Sequence, residues 1–167
     1  MSNNLHDTQS QSHRIMISSC SVAIAALVPV ALFQCGALDH LPDPPASFFA
    51  SDQITSSSEA HPFGVPDSLL GLASYGTTLT LALNAPHSQF ARKVLKWKLL
   101  LDGSMAAVNT AKQFIEFRSA CSWCMLTAAA TVVMVTAGYK YLNRPTNSSC
   151  HNPNADTGCR IRPPVLQ

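Results

Sequence analysis

Charge is scarce in this 167-residue chain: Asp, Glu, Lys and Arg make up 12% of it, against 47% hydrophobic residues. A globular domain carries about 25% charged residues, so the deficit points to a chain whose exterior meets lipid, where each buried charge is costly. The net charge of +2 is too small for a nucleic-acid-binding surface. No Gly-rich phosphate loop, His-Glu-x-x-His or Gly-x-Ser-x-Gly motif occurs, which removes the common nucleotide, zinc-protease and serine-hydrolase readings. Six cysteines in such a chain do not make a small secreted disulfide scaffold. The 39–66 stretch lacks Cys, Lys and Arg altogether, while holding Asp39, Asp43, Asp52 and Glu59.

What is present is a dithiol at the head of an apolar run. Cys121-Ser122-Trp123-Cys124 opens 19 uncharged residues ending at Tyr139. As a helix rising 1.5 Å per residue this run nearly matches the ~30 Å hydrocarbon core of a bilayer. The unpaired N–H groups and dipole of a helix start favour thiolate, the reactive form of cysteine. The spacing therefore predicts redox chemistry near one membrane face. The bland reading is two ordinary buried cysteines. A zinc half-site completed by Cys150, His151 or Cys159 is another, and a spanning fourth helix would put those residues on the opposite face.

Taken in order, residues 1–14 read as a polar, disordered tail and Ile15–Leu38 as an uncharged first span containing Pro29. A signal peptide or a lipoprotein-like cleavage before Cys35 is the rival reading, which would make an anchored secreted protein. Residues 39–66 are a proline-rich loop. Val65-Pro66-Asp67-Ser68 is a helix start, and a second span follows to Asn84, with small residues Gly71, Ala73, Ser74 and Gly76 open to close packing. Residues 84–98 form a basic connector. The third span, Leu99–Phe117, is interrupted by Asp102, Lys112 and Glu116, which must face the bundle interior or lie near its ends. After the fourth helix, 143–167 read as a disordered tail. Cys20 and Cys35 read as packing residues.

The expected fold is all-α: a four-helix transmembrane bundle over 15–142. The N-terminus, the 84–98 connector and the tail then share one side and hold nine of the eleven basic residues. The positive-inside rule makes both termini cytoplasmic and puts the dithiol near the outer face, in a multi-pass inner-membrane protein.

Phe63-Gly64-Val65-Pro66-Asp67-Ser68-Leu69-Leu70-Gly71-Leu72, with Tyr75, resembles the entry to the second helix of vitamin K epoxide reductase family proteins, and Cys121-Ser122-Trp123-Cys124 resembles the Cys-Pro-Trp-Cys heading their fourth. The resemblance, to bacterial-type members, covers about 15–142. It implies a membrane oxidoreductase passing electrons between thiols and a quinone (ubiquinone or menaquinone), with no metal and a possible thioredoxin-like partner. Cys124 would face the quinone and Cys121 would exchange with an external thiol. Asp67, Ser68, Trp123 and Ala128 would border the quinone. Asp67 stands where the family has Asn, so it could donate a hydrogen bond only as the protonated acid or through water. Ala128 replaces a tyrosine of some members. The family's two loop shuttle cysteines would fall near Asp43 and Ser51, and neither position holds sulfur. A non-catalytic membrane scaffold or partner-binding protein is the alternative this departure leaves open.

Overall fold

The computed structural model describes residues 2–44, 49–57, 60–61 and 64–143. The tail with Cys150, His151, Cys159, Arg160 and Arg162 lies outside them, as does Phe63 of the second-helix motif. Five helices follow one another: α1 (Ser2–Gln34), α2 (Ser51–Thr55), α3 (Asp67–Asn84), α4 (Gln89–Lys112) and α5 (Ser122–Leu142). A π-helical turn, Gln113–Phe117, extends α4. The described residues contain no strand, only a single parallel bridge between Phe49 and Ala120.

Two helix boundaries differ from the sequence reading. α1 begins at Ser2, in the stretch expected as a disordered tail. Once an apolar segment is helical, each further residue adds a hydrogen bond at little cost, and His13 is tied across to the Ala82 carbonyl at 2.9 Å. The basic connector is likewise mostly helix. Ser88 caps α4, its Oγ accepting from Ala91 N, and Arg, Lys, Gln and Leu after it are good helix formers. Lys98 therefore belongs to the bundle rather than to a loop.

α1 packs most extensively on α5 and then on α3, while α4 packs on both α5 and α3. The core runs through Met16, Cys20, Ala23 and Leu27 of α1, Tyr75 and Ala82 of α3, Leu95 and Leu99 of α4, and Met134, Ala137 and Tyr141 of α5. Cys20 is a packing residue, its thiol donating to the Tyr75 carbonyl at 3.4 Å, but Cys35, expected to pack likewise, lies just past the end of α1 and is exposed. Close approach depends on glycine at two places. A Cβ on Gly71 would come within 2.9 Å of Leu27 Cδ1, and one on Gly138 within 2.4 Å of Leu99 Cδ1 and 3.0 Å of Met16 Sδ.

Two segments, Asp7–Gln34 and Ser122–Leu142, are long and apolar enough to cross a membrane. Expected as further spans, α3 and α4 fall short of that measure: hydroxyls dilute α3 and charges interrupt α4. Yet large apolar side chains stand exposed on every long helix, among them Val22, Leu32, Leu70, Leu83, Trp97, Leu101, Met105, Leu126 and Val133.

The Gly138 contact yields a stability prediction. Gly138→Val should lower thermal stability in detergent by about 1–3 kcal/mol, the usual cost of overpacking. Gly76→Ala, where a Cβ meets nothing within 4 Å, should cost none.

Candidate functional site

At the start of any helix several backbone N–H groups lack partners, and at α5 the side chains that meet them surround the dithiol. Cys121 is the N-cap, its Sγ accepting from Cys124 N at 3.2 Å. The N–H of Cys121 donates to Gln113 Oε1 at 3.1 Å, and that of Ser122 donates to Ser51 Oγ at 3.1 Å. The two sulfurs are unbridged and in hydrogen-bond contact.

Ser51 belongs to the 39–66 stretch, whose described residues Pro42, Asp43, Ala50 and Ser51 lie over this helix start. Asp43 gathers three donors: Ser51 N (2.9 Å), Ser51 Oγ (2.6 Å) and Ser122 Oγ (2.5 Å). Ala50 N donates to the Ala120 carbonyl at 3.2 Å, and the Trp123 indole N–H donates to the Pro42 carbonyl at 3.1 Å. Ser51 and Cys121 are completely buried as a result. Asp43 and Ser51, near which the resemblance would put shuttle cysteines, form a hydrogen-bonded pair against the dithiol. Burial would raise the Asp43 carboxyl, but the Ser122 and Ser51 hydrogen bonds outweigh it and hold it below the ordinary carboxylate value.

Cys121 sits just ahead of the apolar span. The hydrogen bond from the Cys124 thiol, greater than the opposing effect of burial, brings the Cys121 thiol down to about 7, helped by the Ser51 hydroxyl and the backbone N–H groups of Cys124 and Trp123. The one Ser51 hydroxyl proton is therefore within reach of both Asp43 and Cys121.

Cys124 faces the other way, into a cavity of about 420 Å³ enclosed by α1, α3, α4 and α5. Asp67, Ser68 and Tyr75 of α3, Gln113, and Thr127 and Ala128 of α5 share its wall. Of the six residues singled out from sequence, Cys124, Asp67, Ser68 and Ala128 meet around this cavity. Cys121 lies behind it under the loop, and Trp123 turns to the loop rather than to the cavity wall.

Sequence reasoning missed two glutamines. Gln34, at the end of α1, donates from Nε2 to Asp67 Oδ1 (2.9 Å) and to the Thr55 carbonyl (3.1 Å), while its Oε1 accepts from the Ser68 hydroxyl. Gln113 is buried at the π-helical turn, a feature frequent at functional sites. It accepts from Cys121 N and its side chain also hydrogen-bonds Cys124. No local pattern marks either residue; both are defined by what the fold brings to them.

The profile of the vitamin K epoxide reductase family matches residues 14–138. The chain belongs to that family. Its members are membrane-embedded oxidoreductases that couple thiols to quinones. Comparison with individual curated proteins gives no match.

For this vitamin K epoxide reductase family chain, the Cys121 environment gives a pH prediction. A depressed thiol pKa means thiolate appears at lower pH than in a free cysteine. Alkylation of Cys121 by iodoacetamide, read site by site by mass spectrometry, should be half-maximal near pH 7. Ser51→Ala removes a donor to the thiolate and should move that midpoint upward.

Proposed function

We propose that the chain is a membrane thiol oxidoreductase in which the Cys121/Cys124 dithiol gives electrons to a quinone, ubiquinone or menaquinone, held in the cavity beside Cys124. The observation that carries this reading is the asymmetry of the two sulfurs: one under the loop, the other on the wall of a ring-sized cavity. Ligand sites of about 300–1,000 Å³ with a few converging polar groups are the usual form of a small-molecule site. Asp67 and Ser68, held by Gln34, would face the polar end of the ring. The apolar groove between α4 and α5, of about 600 Å³, shares Ala106, Thr110 and Ala128 with the cavity and suits a hydrocarbon tail.

The quinone supplies a two-electron, two-proton acceptor. Cys124 presents its sulfur to the cavity, and Cys121, as thiolate, closes onto Cys124 to form the disulfide while two electrons leave. An external thiol then attacks at Cys121 and releases Cys124, the ordinary course of thiol–disulfide exchange. Because Cys121 is fully buried, the 39–66 loop must lift for that step. A thioredoxin-like protein or a small thiol would serve as donor, and the activity would support disulfide formation in an extracytoplasmic partner.

The reading includes all four long helices in the membrane, although only α1 and α5 are apolar enough by themselves. Exposed large apolar side chains on α3 and α4 support it, since a contiguous apolar exterior marks contact with lipid. The charge asymmetry supports both termini in the cytoplasm of a multi-pass inner-membrane protein. Trp123 then covers the dithiol from the loop side.

A second reading, a non-catalytic scaffold, is favoured by Asp43 and Ser51 at the shuttle positions. Quinone turnover by purified protein separates the two. The parent should oxidise its dithiol with added quinone, and Cys124→Ser should lower turnover by at least about a hundredfold, as loss of a reacting group does. Equal turnover by parent and variant would sink the redox mechanism.

A further inference from the structure

One charged group of the bundle interior has no part in the scheme above. Asp102 of α4 is only 5% exposed. It lies ten residues from the Lys112 end of α4 and 13 from the Gln89 end, so about 15–20 Å of helix separates it from either end. An ionisable side chain at that depth is costly and marks a function unless partnership alone explains it.

Its partners form a compact set. Lys98, one turn earlier on α4, pairs with the Asp102 carboxylate. From α3, Ser74 Oγ donates to Oδ1 at 2.9 Å and Thr78 Oγ1 donates to Oδ2 at 2.6 Å. Lys98 Nζ also donates to Ser74 Oγ at 2.8 Å, so the serine links cation and anion. The titratable groups facing the pair are Cys20 of α1 and Tyr75 of α3. α5 brings Thr131, whose hydroxyl is 2.5 Å from that of Tyr75. A clamp between α3 and α4 would need nothing more. But Asp102 and Ser74 also line the cavity that Cys124 lines, and Lys98 lies toward the basic end of the bundle with Arg92, Lys93 and Lys96.

We propose that the Lys98–Asp102 pair is a proton donor to this cavity, fed from the basic end of the bundle. The proposal rests on the quinone reading and follows from its proton balance. A quinone gains two electrons and two protons. Cys124 brings one proton as a thiol. Cys121, which its capping hydrogen bonds hold toward thiolate, reacts in that form, its proton released on the loop side. The balanced step is Cys121 thiolate plus Cys124 thiol plus quinone plus one proton, giving the disulfide and hydroquinone. The remaining proton comes from a charged group on the cavity wall; among the described residues these are Asp67, Lys112 at the loop end of α4, and Asp102 deeper in the bundle. Asp67 stands at the loop end and accepts from Gln34, so a proton drawn through it or through Lys112 would return to the side where Cys121 lost one. Asp102, as the carboxyl after taking the Lys98 proton, draws it from the opposite end. Each turnover through Asp102 then carries one positive charge's worth of proton across the bundle.

The test uses full-length protein, pre-reduced with a phosphine, in vesicles with its basic end inward and an impermeant pH dye in the lumen. A water-soluble short-chain quinone is the oxidant. The expected result is uptake of one luminal proton per disulfide formed. Asp102→Asn should abolish that uptake and slow disulfide formation by about a hundredfold, the size of a general-acid contribution, and Asp102→Glu should restore both. Disulfide formation with diamide, which needs no cavity proton, should be unchanged in Asp102→Asn. Uptake only from the loop side in the parent would overturn the proposal, whatever the folding of any variant, and so would luminal uptake that persists in Asp102→Asn. A parent that forms its disulfide with diamide but not with quinone overturns the quinone reading itself.

Discussion

The structure depends on how the exposed N–H groups at the head of α5 are satisfied. A helix that begins near a membrane face has to meet these donors with protein groups, because apolar surroundings do not. Here each donor is met by a group that also shapes the dithiol. Cys121 Sγ takes the Cys124 N–H, Gln113 takes that of Cys121, and Ser51 takes that of Ser122. Capping, loop docking and the polarisation of Cys121 are one set of hydrogen bonds. That is why a loop without sulfur still bears directly on the redox pair.

The same rule orders the rest of the interior. Three sets of polar side chains between the helices satisfy one another: Gln34 with Asp67 and Ser68, Asp102 with Lys98, Ser74 and Thr78, Tyr75 with Thr131. Groups placed this way lose little on burial, whereas an orphaned one would cost the full desolvation penalty. All three sets touch the cavity wall through at least one member. The polar content of an otherwise apolar bundle is thus concentrated where a small ligand with two oxygens would meet it.

Much of this was legible in the chain. Pro66-Asp67 marks the start of α3 because a proline and an acid suit the first turn, and the helix begins at Asp67. The uncharged run from Cys121 marks α5, which begins at Ser122, and Ala128, one turn after Cys124, lies on the cavity wall with it. The start of α4 was obscured because four basic residues in a row of ten look like a connector, although each is a good helix former once Ser88 caps the turn. Gln34 and Gln113 were invisible because an amide has no preferred spacing; its value lies in having a donor and an acceptor at one tip, which only the folded arrangement puts to use. Asp102 was expected inside the bundle or near an end. Its partner was hidden by the assignment of Lys98 to a loop.

The replacement at positions 43 and 51 changes how the dithiol can be reached. A sulfur at 51, lying against Cys121, could relay electrons with the loop closed. A serine cannot, so on the proposed redox reading the reductant itself would have to approach Cys121. The Asp43–Ser51–Ser122 contacts that hide Cys121 are hydrogen bonds, each worth about 1 kcal/mol net and somewhat more where a carboxylate accepts. A clasp of that kind opens on thermal fluctuation, with no change of redox state. On the proposed reading, access to Cys121 would follow an opening of the clasp rather than a relay of disulfides, and Ser51, which helps lower the Cys121 thiol, is among the residues that would have to part to expose it. The thiolate is best stabilised when it is least reachable; on the proposed redox reading, the closed site would serve the cavity side and the open site reduction.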